Sequence, residues 1–160
     1  MSVFVLDADG AIKLAKARAL ETLASAATCF LPLAVYEEIS KGKEKMYEDA
    51  FDIESLVSSK KIKLIKINIE RINEGLGAGE CSALAAYTEV NADAIISDDR
   101  KFLAFLERQN IPFITPTDAI VFLVIKKRIT KQKGILALEQ IRHLVREENY
   151  LAAKKEIGGE

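Results

Sequence analysis

The sequence has no tryptophan, one histidine, two cysteines and three prolines in 160 residues. Each scarcity excludes something. With His143 alone, and no Cys or His pairs at ligand spacing, a zinc site of the usual kind is not expected. A Ser-His-Asp hydrolase has little to work with, and no GxSxG segment is present. No glycine-rich phosphate loop of the GxGxxG or GxxxxGK[ST] type occurs. Cys29 and Cys81 sit in apolar context and read as buried thiols of a reducing cytoplasm. The longest apolar run, Ala119 to Ile125, is seven residues against the roughly 20 that a membrane span needs, so no integral membrane protein is expected. Met1-Ser2 leads straight into an apolar run without a basic segment, so a secretory signal is not expected either.

What is present is an ordinary globular composition, 49% hydrophobic and 29% charged, with a formal net charge of -1. That balance conceals an asymmetry. Residues 119–160 carry nine Lys/Arg against five Glu, and the first 118 residues are acidic. Lys126 to Lys133 reads either as a solvated helix end or as an edge that contacts phosphates.

Short apolar runs alternate with amphipathic stretches. Strands are predicted at Val3–Leu6, Thr28–Leu31, Ile62–Ile67, Ala94–Ser97 and Pro112–Ile114. The lysines at 61, 63 and 66 suggest that the third is an edge strand. Helices are predicted over 11–26, 34–40 up to Gly42, 44–58, 80–90 after a glycine turn at 75–79, 100–110, 117–127 with Thr117 as N-cap, 130–146 with Thr130 as N-cap, and 148–157. This alternation implies an α/β chain: a mainly parallel sheet covered on both faces, three layers α/β/α, with a helical C-terminal tail. The length suits one domain over 1–160, with a core over 1–115 and a tail over 116–160.

In such a sheet, ligands bind beyond the carboxyl ends of the strands. Asp7 follows the first strand, and Asp98 and Asp99 follow the fourth. Glu38 and Glu80 fall early in helices. Two like charges ~4 Å apart repel by about 4 kcal/mol at an effective dielectric of 20, so clustered carboxylates need protons or cations. An all-oxygen set without His or Cys selects hard ions such as Mg2+ or Mn2+. The residues alone point to metal-dependent phosphoryl transfer. Asp9, before Gly10, also reads as a helix N-cap, and Asp98 as the cap of the helix from Arg100. Glu38 also reads as a solvated helix residue, and Glu80 as a carboxylate favoured by its helix dipole.

Four segments resemble the PIN-domain nucleases. Val3-Phe-Val-Leu-Asp7-Ala-Asp-Gly-Ala-Ile-Lys-Leu14 is similar to the family's opening strand, Asp and helix. Pro32-Leu-Ala-Val-Tyr-Glu-Glu38-Ile resembles its P-x-x-V-x-x-E-[LI] segment, and Leu76-Gly-Ala-Gly-Glu80-Cys-Ser-Ala-Leu-Ala85 the GE helix of one branch. Ala94-Ile-Ile-Ser-Asp-Asp99-Arg-Lys-Phe102 resembles its strand followed by [TS]-x-D-x-x-F. The resemblance implies Asp7, Glu38, Glu80 and Asp99 as the catalytic, metal-binding set. It makes Ser97 an organising hydroxyl and Asp98 an accessory acid. Asp9 stands where the family often has Ser, Thr or Asn, and is a further accessory candidate. The resemblance also implies a Mg2+- or Mn2+-dependent endoribonuclease acting on single-stranded RNA, often homodimeric. In many chains of this size it implies a toxin of the VapBC type, inhibited by a small antitoxin protein. Lys13, Arg100 and Lys101 are candidates to contact RNA. Two alternatives stand beside this reading. One is a PIN-fold binding module without catalysis. The other is a haloacid dehalogenase-type phosphatase, which Asp7-Ala-Asp9-Gly resembles, although Ala11 follows the glycine and no Lys occurs in 78–97.

Overall fold

The computed structural model describes residues 1–44, 47–68 and 75–158. Five strands form one sheet: β1 (Val3–Leu6), β2 (Thr28–Pro32), β3 (Lys63–Ile65), β4 (Ala94–Ile96) and β5 (Phe113–Ile114). Their order is β3-β2-β1-β4-β5, and every neighbouring pair is parallel. Helices α1 (Ala8–Lys16) and α2 (Leu20–Ala26) join β1 to β2, and α3 (Leu33–Glu44) and α4 (Glu48–Ser58) join β2 to β3. Helix α5 (Ala78–Glu89) precedes β4, and α6 (Arg100–Arg108) leads to β5. The chain ends in α7 (Pro116–Ile125), α8 (Lys131–Ile141), a 3₁₀ turn at Arg142–Leu144 and α9 (Glu147–Ile157).

The three layers follow from strand periodicity and crossover handedness. Successive strand side chains point to opposite faces. Phe4 and Leu6 of β1 join a core with Cys29, Leu31 and Ile96 and with the apolar faces of α1–α4 and α7–α9. Val5 and Ile95 point the other way, into a core built by α5 and α6 around Phe102 and Leu106. The chain moves outward from β1 to β3 and then returns to β4 and β5 on the far side of β1. Right-handed crossovers taken in opposite directions place their helices on opposite faces. The last three helices cover the first face, where Phe122 meets Phe4 edge to face at 5.5 Å. The result is the expected α/β/α arrangement, with the lysine-bearing β3 at an edge. Among the described residues, no helix is long and apolar enough to cross a membrane.

Several local expectations are corrected. The helix predicted over 11–26 is two helices, because Arg18 adopts a left-handed backbone (φ 58°) that closes α1. Helix α3 runs through Gly42 instead of stopping there. The glycine turn is shorter than expected, since α5 starts at Ala78 and takes Gly79 into its first turn. Thr115, not Thr117, caps α7: its hydroxyl accepts from the Asp118 N–H while Asp118 accepts from the Thr115 N–H, with Pro116 in the first turn. Thr130 does cap α8, but that helix ends at Ile141. Residues 45 and 46 of the helix predicted over 44–58 lie outside the described residues, and α4 begins at Glu48.

The reversal of direction between β1 and β4 creates the switch point of the sheet, and one glycine sets how closely the chain closes there. Gly10, in the first turn of α1, lies against the backbone of β4: a Cβ at this position would sit 2.5 Å from the Ile96 carbonyl oxygen. A backbone atom cannot swing aside as a side-chain tip can. Gly10→Ala is therefore predicted to destabilise the fold by about 1–3 kcal/mol, read as a lowered midpoint in urea or thermal unfolding. An unchanged midpoint would show that α1 is free to lift from β4.

Candidate metal centre

Asp7 follows β1 directly, and Ser97, Asp98 and Asp99 follow β4, the adjacent strand. Their connections leave in opposite directions, which opens a crevice at the carboxyl edge of the sheet. The first turn of α5 brings Glu80 to this crevice, and the second turn of α3 brings Glu38. Asp7, Glu38, Glu80 and Asp99 all line one pocket of about 490 Å³. Segments far apart in the chain thus converge on one acidic site.

Helix N-termini hold these carboxylates. Asp7 is the N-cap of α1, and its Oδ1 accepts from the Gly10 N–H at 2.7 Å. Asp99 is the N-cap of α6, and its Oδ1 accepts from the Phe102 N–H at 2.9 Å. Asp7 takes the cap expected of Asp9, two residues on, and Asp99 takes the one expected of its neighbour Asp98. Ser97 is fully buried between the two. Its hydroxyl accepts from the Asp99 N–H at 3.2 Å and hydrogen-bonds the Asp7 carboxylate. Glu80, the third helical residue of α5, leans back to the Gly77 backbone N–H. Gly79 makes room for Glu38: a Cβ there would lie 2.9 Å from Glu38 Oε2.

Burial acts against these charges. Asp7 is 5% exposed. Desolvation pushes its carboxyl up to about 7, with Asp9 and Asp99 adding repulsion and the bonds from Ser97 and Gly10 opposing the rise. Glu80 is also raised, first by burial and then by the charge of Asp99. Glu80 Oε2 is buried and has no hydrogen-bond partner. An unpaired buried carboxylate oxygen is costly, and in a wall of further carboxylates a cation is what satisfies it. The donor set, all oxygen and anionic, suits a hard divalent ion. Among the described residues, no three of these side chains are yet gathered into a closed coordination group. Asp99 spends one oxygen on its cap, whereas Asp7 accepts from both the Gly10 N–H and the Ser97 hydroxyl. Glu38, on α3, is the exposed member on the far wall of the pocket.

The other sequence candidates fall elsewhere. Lys13 bonds Asp98 at 2.6 Å and Asp9 at 3.2 Å, tying α1 to the turn after β4. That bridge engages a candidate RNA contact and both accessory acids in one internal ion-pair network. Asp9 also borders the pocket, whereas Asp98 has a side chain only 4% exposed. Arg100 and Lys101 are exposed in the first turn of α6, and the charge of Lys101 acts on Glu80. The basic stretch from Lys126 lies far from the crevice. Helix α7 runs back across the sheet, so Lys126 and Arg128 cluster with Met1 and Asp93 at the amino-terminal edge of the strands. Sequence reasoning missed Lys41 and Glu37, which line the pocket on the face of α3 that carries Ala34 and Glu38. The helical spacing 34, 37, 38, 41 was the available signal.

Residues 3–155 match a protein-family model described as a PIN domain. Proteins of this family are generally nucleases, and they typically use divalent metals. No curated protein matches the chain significantly.

The burial of Asp7 has a measurable consequence. Between about pH 4 and about pH 7 the folded chain holds a proton on Asp7 that the unfolded chain has released. Stability without metal therefore falls through this window as pH rises. Asp7→Asn keeps the N-cap and removes the titration. In chelator, the variant should match the wild type near pH 4 and exceed it by about 1–4 kcal/mol above pH 7, measured by chemical unfolding at several pH values. A pH-independent difference would mean that Asp7 is not the strained group.

Proposed function

The chain belongs to the PIN-domain family, and on that premise we propose that it is a Mg2+- or Mn2+-dependent endoribonuclease that cleaves single-stranded RNA by attack of water. The observation that carries the proposal is the buried, partnerless Glu80 Oε2 in a pocket shared with Asp7, Glu38 and Asp99. These four carboxylates would hold the ion, whose chemistry when bound is to activate water and to stabilise charge on a phosphodiester.

The chain's own groups prepare that reaction. Ser97 fixes Asp7 and the turn before Asp99 through one hydroxyl. The Lys13 bridge holds α1 against the turn after β4, which keeps the two caps in register. Helix α5 has no side-chain cap, so the first-turn amides at the pocket wall are open to a phosphate oxygen. Lys101 and Arg100, exposed at the start of α6, would draw in the neighbouring phosphates. The phosphatase alternative asks Asp9 to act as an acid. Asp9 is instead engaged by Lys13, and nothing in the geometry favours that reading.

The resemblance to stand-alone family members supports RNA as the substrate, a small antitoxin protein as the inhibitor, and a homodimer as the working form. Two free buried thiols suit a cytoplasmic setting.

The direct test is cleavage of a mixed single-stranded RNA pool with Mg2+, Mn2+ or EDTA, run beside Asp99→Asn. Asparagine keeps the cap of α6, so the comparison isolates the lost charge. Cleavage should require the metal and fall at least about 100-fold in the variant. Equal traces in both proteins would overturn the nuclease reading in favour of a non-catalytic binding module.

A further inference from the structure

An acidic pocket receives a polyanion badly unless something at its rim meets the strand. Lys13 cannot serve, since Asp98 and Asp9 already hold it. Among the described residues that line the pocket, Lys41 is the only cation. It is exposed at the outer end of the pocket-facing stripe of α3. The next residue, Gly42, offers bare backbone to an aromatic ring. A Cβ there would lie 3.4 Å from Tyr47 Cδ2, and the Tyr47 N–H donates to the Gly42 carbonyl at 3.0 Å. Tyr47 is thus fastened against the end of α3 next to Lys41, yet is 58% exposed. Phe51 follows four residues later, about one helical turn along, and is 42% exposed. Among the described residues, these two are the aromatics that appear as exposed large hydrophobic side chains. Tyr47 stands at the start of α4, packed on the end of α3, the helix whose Glu38 and Lys41 line the pocket. Burying either ring would have stabilised the fold, so the exposure of Tyr47 next to Lys41 points to a ligand with flat faces and negative charge.

We propose that Lys41, Tyr47 and Phe51 form a receiving track for unpaired nucleotides. Lys41 meets a backbone phosphate, Tyr47 stacks on a base, and Phe51 extends the apolar surface for the next one. Stacking of this kind tolerates any base, because every base has a π-face. A duplex hides those faces, so the track selects single strands. Its direction into the acidic pocket rests on the nuclease reading; its affinity for nucleic acid does not.

The experiment is fluorescence anisotropy of a labelled single-stranded RNA dodecamer against the full chain, with Ca2+ replacing the catalytic ion, and cleavage measured in parallel with Mn2+. Tyr47→Ala should weaken binding roughly 5- to 100-fold, and Tyr47→Phe, which keeps the ring, should not. Lys41→Ala should weaken binding and flatten its salt dependence, and Lys41→Arg should restore both. A duplex of the same sequence should bind less tightly and be indifferent to Tyr47→Ala. Equal binding by wild type and Tyr47→Ala, or no binding by wild type, overturns the track. Cleavage with binding unaltered in Tyr47→Ala removes the track and keeps the nuclease. Binding lost in Tyr47→Ala without any cleavage keeps the track and removes the nuclease.

Discussion

The carboxylate of Asp7, buried where the central strand β1 ends, is the constraint to which the rest of the site answers. An isolated charge in that position would be intolerable in a low-dielectric interior. The chain offsets part of the cost with hydrogen bonds to the charged form: the Gly10 N–H at the start of α1 and the hydroxyl of Ser97. The first-turn amides of α1 and the positive end of its dipole favour the same charge. These do not suffice, because the group still titrates near neutrality. The remaining deficit is a standing demand for a proton or a cation.

The same device recurs around the pocket. Asp99 caps α6 as Asp7 caps α1, and Glu80 leans back over the start of α5. Three helices therefore aim their amino termini at one crevice and hold carboxylates there that would otherwise repel one another. The parallel sheet makes this convergence possible, since its switch point places the ends of β1 and β4 side by side. Two glycines set the spacing. Gly10 lets α1 touch the backbone of β4, and Gly79 lets Glu38 approach α5. Asp7 and Asp99 are fixed by helix caps, and Glu38 reaches the pocket from α3 against Gly79.

Much of this was legible in the sequence for physical reasons. Apolar runs such as Val3–Leu6 and Ala94–Ile96 are too short for helices, and an acid follows each within two residues, which marks both a buried strand and a costly charge near its tip. What failed was detail that depends on a register of one residue or on contacts across the fold. Asp7 and Asp9, like Asp98 and Asp99, compete for neighbouring cap positions, and the residue at which the strand stops decides between them. The break at Arg18 carries no Gly or Pro to announce it. The bond from Lys13 to Asp98 joins residues 85 apart, and that separation hid its role from any local pattern. Lys41 was within reach of helical spacing from Glu38, but its neighbour Tyr47 became visible only through the packing of Gly42.

The most direct test of the account is a calorimetric titration of Mn2+ into the metal-free chain and into Glu80→Gln. If the buried oxygen of Glu80 is unpaired because a cation belongs beside it, the wild type should bind Mn2+ and the variant should bind it markedly less tightly. Glutamine has nearly the same shape and should preserve the fold. Equal affinity in the two proteins, or no binding in either, would contradict the claim that this carboxylate cluster is a metal centre.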